Sequence, residues 1–356
     1  MEIIIGICIF CIVLFLYLHI QFHLKTSEDL EIYEAEQPSK DKLEEICDLR
    51  QPIIFDFECN KIVETSNLSY ISNNYGVFEV KVRNIEDNDE NSDLYIPLPL
   101  HSAIKLFNQD KSASYFSENN KEFLEETGVI KNLQYNDDYL RPYMVSNCNY
   151  DIMTGSTGVY TPFRYEINYR NYILLTQGNA QIKLSPPHSV KYLHPIYDYE
   201  NFEFRSPINP WKPQPKFSAD FDKIKCLEFT LLPGKTLYIP AYWWYSIKFN
   251  ANTSISCFNY RTYMNNLAII PYVCLHALQI QNVKRDVVKK VNINEINKIK
   301  NVINIDDIKN NSNNISNDDV NNNNNNEIIE NEIIPNKSTN IDDLPISEEI
   351  INKEII

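Results

Sequence analysis

Eight cysteines, six histidines and an adjacent pair of tryptophans are the first places to look for chemistry in this 356-residue chain. Cys8 and Cys11 stand two residues apart, as in metal and redox sites, but both sit inside one unbroken apolar run. Cys47, Cys59, Cys148, Cys226, Cys257 and Cys274 are scattered singly and read as buried reduced thiols. Asn67-Leu-Ser and Asn252-Thr-Ser fit glycosylation sequons, which an Asn-rich chain produces by chance. Two stretches remain. One is Thr161-Pro-Phe-Arg-Tyr-Glu-Ile-Asn-Tyr-Arg-Asn171, followed by Gln177-Gly-Asn-Ala180 and Leu184-Ser-Pro-Pro187. The other is Leu232-Pro-Gly-Lys-Thr-Leu-Tyr-Ile-Pro-Ala-Tyr-Trp-Trp-Tyr245, closed by Ser254-Ile-Ser-Cys-Phe-Asn-Tyr260.

The elements around them are legible from periodicity. From Ile3 to Leu24 there is no Asp, Glu, Lys or Arg. At ~1.5 Å per residue that run makes a helix of roughly 33 Å, enough to cross a bilayer core. A cleaved signal peptide is disfavoured, since no basic region precedes the run and no small-x-small site follows it. Residues 1–25 therefore read as a single-pass anchor. Glu2 precedes it and Lys25, Lys40 and Lys42 follow, which places the bulk of the chain on the cytoplasmic side. Residues 26–40, with Glu28, Asp29, Glu31, Glu34 and Glu36, read as a solvated acidic spacer.

Gln51–Phe57 and Gly76–Val82 read as strands, and Ser117 to Thr127 as a short helix capped by Ser117 and stopped by Gly128. Strand-like segments then recur at Tyr172–Leu175, Ala180–Leu184, Cys226–Leu232, Thr236–Ile239, Ser246–Phe249 and Ser254–Tyr260. Gly178, Pro186-Pro187, Pro233-Gly234 and Asn250 to Asn252 punctuate them. With 23 Tyr and 17 Phe against 7 Gly, a barrel or jelly roll fits better than a glycine-loop nucleotide fold. Residues 263–304 carry helical periodicity, and the Asn-rich tail at 305–356 buries too little apolar surface to order itself. The net charge of −15 argues against nucleic acid, which needs a basic face. Abundant Asn, Ile, Lys and Tyr with scarce Ala and Gly match AT-rich genomes such as those of large DNA viruses and certain protists.

The two quoted stretches resemble the JmjC and cupin-like Fe(II)/2-oxoglutarate oxygenases, in particular the asparaginyl-hydroxylase branch. That resemblance implies a mainly β domain at 41–262, a double-stranded β-helix with flanking helices. It also implies an iron site of two histidines and one carboxylate with open positions for co-substrate and O₂. Here the first His position is Arg164, the carboxylate position Glu166, and the second His position Tyr245. The co-substrate lysine position is Ala180, allowing one inserted residue; Asn171 and Trp243 belong to the same former pocket.

Arginine offers no lone pair to a metal, and tyrosine ligates only as phenolate. The resemblance thus points to a catalytically silent domain holding neither Fe(II) nor 2-oxoglutarate. In place of the metal, an Arg164–Glu166 ion pair with a Tyr245 hydroxyl is expected. Such a domain would act as a binding or structural module on a membrane, with an unidentified protein partner and possible homodimerisation through the C-terminal helices. The rival readings are a hydroxylase with an unconventional centre built from Glu166, Tyr245 and His188 or His194, and a barrel for a small molecule or lipid.

Overall fold

The computed structural model describes residues 1–85 and 95–284. Helix α1 (Glu2–Leu24) is 23 residues long, with a mean hydropathy of 2.9 and its apolar side chains turned outward. It is long and apolar enough to cross a membrane. Its C-terminal end is tied to the rest of the chain. The Arg50 guanidinium donates to the His23 and Lys25 carbonyls at 3.2 and 2.9 Å and lies 4.1 Å from the Phe22 ring. These contacts satisfy carbonyls that a helix end leaves orphaned.

The segment that follows is not a solvated spacer. The Ser27 amide and Thr26 hydroxyl both donate to the Arg50 carbonyl, and Trp243 Nε1 donates to the Ser27 carbonyl at 3.0 Å. A short strand, β1 (Tyr33–Ala35), then pairs in parallel with β2 (Ile53–Asp56). The acidic side chains face water while the backbone is pinned, a split that charge composition alone does not reveal.

A helical layer fills the interval before the barrel: α2 (Lys40–Cys47), α3 (Asn60–Ser66), α4 (Leu68–Tyr75), α5 (Leu100–Gln109), α6 (Lys121–Glu126) and α7 (Val129–Asn136). Strands β3 (Glu79–Asn84), β4 (Ile96–Pro99) and β5 (Tyr115–Ser117) thread through it. The expected helix from Ser117 is shorter at its start, because Ser117 ends β5 and is paired with Val82 and Thr154. Gly128, at φ 72°, separates α6 from α7 as a left-handed residue.

The barrel proper begins at β6 (Val145–Gly155) and continues through β7 (Phe163–Tyr165), β8 (Arg170–Gln177), β9 (Ala180–Ser185), β10 (Ile196–Asp198), β11 (Glu203–Ser206), β12 (Leu227–Leu231), β13 (Lys235–Ile239), β14 (Trp244–Phe249) and β15 (Ser254–Thr262). Helices α8 (Val190–Leu193) and α9 (Ser218–Phe221) lie between strands, and α10 (Tyr263–Ala268) and α11 (Ile270–Lys284) close the described chain.

Two sheets form, in the orders β1-β2-β13-β8-β15-β6-β5-β3-β4 and β10-β11-β7-β14-β9-β12. The strands β6, β7, β8 and β9, and then β12, β13, β14 and β15, are shared out between the two sheets so that the chain coils through both. That arrangement is a double-stranded β-helix, as the resemblance implied. Leu175, Ile182, Leu237, Trp243, Ile247 and Phe249 fill the space between the sheets. Gly178 at φ +74° turns β8 into β9, where an added Cβ would meet Thr253 Cα at 2.9 Å. The expected disorder of 305–356, and the part of the C-terminal helical region beyond Lys284, lie outside the described residues.

Candidate functional site

The open end of the barrel encloses a cavity of about 250 Å³ between the two sheets. Alternation along the strands decides what faces it. From β6 it takes Asn147, Asn149, Asp151 and Met153, and from β15 Cys257, Asn259 and Arg261. β7 contributes Arg164 and Glu166's neighbourhood, and β14 contributes Tyr245. Asn149, Asn259 and Asn171 stand in direct register on three neighbouring strands, a ladder of carboxamides across the floor. One step deeper, Asp151 and Ile173 flank Cys257 in the same way.

Arg164 and Tyr245 are direct cross-strand partners, so their side chains rise side by side. The turn before Tyr245 is held by an amide hydrogen bond from Tyr242, at φ 67°, to the Glu166 carbonyl at 2.9 Å. Arg164 Nε donates to the Tyr245 hydroxyl at 3.3 Å, and that hydroxyl donates to Glu166 Oε1 at 3.2 Å. The three positions that the resemblance assigned to iron ligands are thus brought together and linked by hydrogen bonds.

The expected Arg164–Glu166 ion pair is not what forms. Arg164 Nη2 instead meets Glu118 Oε2 at 2.6 Å, and its Nη1 lies 3.9 Å from Glu203. Arg83 binds the same two carboxylates from the other side, at 3.1 Å to Glu118 and 2.7 Å to Glu203. Tyr95 adds a hydroxyl to Glu118 Oε1 at 2.9 Å. Two arginines and two glutamates therefore form a buried cluster, with Arg205 at its rim 3.7 Å from Glu203. Glu118 is only 1% exposed; burial opposes its ionisation, but Arg164 and Arg83 outweigh that and hold it at about 2.

Glu166 is left with weaker company, the Tyr245 hydroxyl and Asn168 Nδ2 at 3.3 Å. Burial raises its pKa, only partly offset by Arg164 and by Tyr245. Asp151, opposite, is pushed up to about 7 by burial, against three backbone amide bonds from Asn119, Asn120 and Ile152. Burial likewise drives the Tyr245 phenol well above its ordinary value, which disfavours the phenolate a metal would need.

The donor set does not fit a two-histidine, one-carboxylate iron centre. A protonated guanidinium and a neutral phenol stand at the two positions that the resemblance assigned to histidines. Among the described residues no group of three His, Cys, Asp or Glu side chains is placed to hold a metal. His188 and His194 are not brought to the cavity. His188 lies 3.7 Å from Glu28, and His194 pairs with Asp220 at 2.9 Å.

Ala180 and Trp243 are corrections as well: neither is among the residues that line the cavity. Ala180 is fully buried at the start of β9, opposite Phe249 and Leu231, and Trp243 packs in the core between the sheets. Asn171 does line it, with Nδ2 bonded to the Asn168 and Ile239 carbonyls and Oδ1 without a partner. Glu118, Glu203, Arg83 and Asp151 escaped sequence reasoning because they come from distant segments. The available signal was Arg164 between Phe163 and Tyr165 in a short run of aromatic residues, where a buried guanidinium must find carboxylates.

HSPB1-associated protein 1 from Rattus norvegicus, Mus musculus and Homo sapiens is 32% identical to this chain over 95 residues, which is 26% of this chain. The matched part covers 20% of each of those proteins, so the chain spans about a fifth of the curated relatives it matches. The cupin-like domain family matches residues 39–266, well over half of the chain and every strand of the two sheets except β1. Together with the strand order, that match places the chain in the JmjC/cupin-like domain family.

Proposed function

We propose that this protein is a non-catalytic cupin-like binding module held at a membrane by α1, with the barrel on the cytoplasmic side. The observation that carries the reading is the Arg164 guanidinium, standing where a metal ligand would be and fixed by Glu118 at 2.6 Å and Tyr245 at 3.3 Å. An arginine so held occupies the coordination space with a positive charge and repels a divalent cation. Among the described residues that line the cavity there is no lysine to meet the family's co-substrate. Neither Fe(II) nor 2-oxoglutarate is a cofactor on this reading.

What the barrel keeps is a polar cavity and a rigid frame, the properties of a recognition module. The matched relatives are named for association with another protein, HSPB1. This supports a protein partner in general for the present chain and does not specify which. The anchor reading rests on the 23-residue apolar helix and on the charges around it, Glu2 before and Lys25, Lys40 and Lys42 after.

Two assays on the full chain test the proposal. Incubation with Fe(II), ascorbate and 2-oxoglutarate is expected to give no succinate above a no-protein control, with or without candidate peptides. Alkaline carbonate extraction of expressing cells is expected to leave the protein in the membrane pellet. Stoichiometric succinate release contradicts the silent-site reading, and quantitative release into the supernatant contradicts the anchor.

A further inference from the structure

The chain from α10 into α11 reverses the usual pattern of a surface helix. On α11 the polar side chains turn inward: His276 Nδ1 bonds the Tyr199 carbonyl at 2.7 Å, and Gln279 Oε1 accepts from the Tyr199 amide at 3.1 Å. Tyr272 packs between them against Phe204 at 5.5 Å. The outward positions are apolar, with Ile270, Val273, Leu275 and Leu278 exposed and no charged residue from Ile270 to Ile280. Tyr263 and Leu267 continue this exposed run back along α10. Leaving such a face in water is unfavourable by about 25 cal/mol per Å² of apolar surface, so it requires a cover.

The position of α1 says which. The last turns of α1 pack on α10, and His23 Nε2 lies 3.4 Å from Thr262 Oγ1. A groove of about 520 Å³ runs between them, lined by Leu18, Phe22, Tyr143, Met144, Tyr263 and Met264. Met144 is held in the left-handed region at φ 53° with its side chain 74% exposed, so the loop presents it to the outside. Leu18 stands ~9 Å before the end of α1 along the helix axis, inside the stretch that must lie in the bilayer. Whatever touches Leu18 is therefore at membrane depth. Tyr143 and Tyr263 are the amphipathic ring type that settles at the headgroup boundary. The adjacent acids Glu44 and Asp48 are already paired with Arg170, at 3.0 and 2.6 Å.

We infer that the face formed by the 142–144 loop, α10 and α11 is a membrane-docking surface that dips into the lipid interface beside α1. The inference rests on the anchor reading above and adds an orientation to it. The barrel lies against the bilayer, with contacts driven by apolar burial rather than by basic residues on anionic lipid. Two contacts, the α1 span and this face, fix the tilt of the domain where one helix alone would leave it free to swing.

The test uses the full chain reconstituted in phosphatidylcholine vesicles, with single tryptophans added at exposed sites and the unmodified chain as background. Phe10→Trp reports on α1, Tyr263→Trp and Leu278→Trp on the docking face, and Leu232→Trp on the opposite end of the strands. Lipid brominated near the middle of its acyl chain is expected to quench Phe10→Trp. Lipid brominated close to the headgroup is expected to quench Tyr263→Trp and Leu278→Trp to a comparable extent, while Leu232→Trp keeps its emission. Quenching at Phe10 without quenching at 263 and 278 overturns the docking face and leaves the anchor standing. If cross-linking in the same vesicles then joins two chains through α11, a second copy is the cover instead. Absence of quenching at Phe10 overturns the anchor and the docking face together.

Discussion

The two halves of the cavity handle charge in opposite ways. On the Arg164 side, Arg83, Arg164, Glu118 and Glu203 form a set in which each charge has an opposite within 4 Å, and Arg205 adds a further contact to Glu203. On the Asp151 side, two carboxyls, Asp151 and Glu166, are hydrogen-bonded by backbone amides, a phenol and a carboxamide, while Arg164 and Arg261 act on Glu166 without an ion pair. The first half is a lock in which Glu118 is held well below the usual carboxylate range; the second holds two acids that burial raises. On the reading proposed above, the difference is what stands in for the metal. A cation still neutralises the carboxylates at the centre, but it is part of the chain, and it chose Glu118 rather than the carboxylate two residues away.

The largest way to break this contrast is Glu118→Gln, which leaves Arg83 and Arg164 buried with one anion fewer. It is expected to cost about 3–5 kcal/mol in urea unfolding, since loss of one partner strands a buried charge. Arg164→Ala leaves Glu118 with Arg83 alone and is expected to cost about 3 kcal/mol by the same physics. A change below ~1 kcal/mol in either would mean the cluster is not paired as described. Tyr245→Phe removes one hydroxyl from the chain between Arg164 and Glu166, for an expected loss of about 1 kcal/mol.

The pH dependence sharpens the comparison, because the two halves have opposite signs. Glu118 has a folded pKa below its unfolded one, so its stabilisation is present above about 4.5 and is lost as pH falls toward about 2. Asp151 is raised, so its contribution is full below about 3.8 and is lost as pH rises through about 7. Stability contributed by the cavity is therefore expected to peak in mildly acidic solution. Carboxyl carbon NMR of labelled protein is expected to show one Asp titrating near 7, absent in Asp151→Asn. A titration confined to the ordinary carboxylate range would remove the contrast.

Much of the barrel was readable in advance, and the reasons are local. Ala180–Ser185, Lys235–Ile239 and Ser254–Thr262 are β-rich runs bounded by Gly178, Pro233-Gly234 and the Asn250–Asn252 turn, so period and punctuation agree. β6 was not legible: Val-Ser-Asn-Cys-Asn-Tyr-Asp carries too many polar residues to look like a central strand. Those polar residues face the cavity, which is why the strand tolerates them. The short helices α2 to α5 were missed because segments of 7 to 10 residues give little periodicity. At the site, Arg164, Glu166 and Asn171 were legible from one stretch and Tyr245 from another. Glu118 and Glu203 were not, since ion-pair partners 46 and 39 positions from Arg164 leave no spacing to read. Ala180 starts β9 opposite Phe249 and does not line the cavity, a placement that the motif alone does not reveal.

The most direct test of the central claim is metal content of the purified full chain after incubation with Fe(II) under nitrogen, followed by a melting curve with and without added iron. Background iron and an unchanged melting temperature are expected, because Arg164 fills the site. About one iron per chain, with a raised melting temperature that Glu166→Ala abolishes, would contradict the claim.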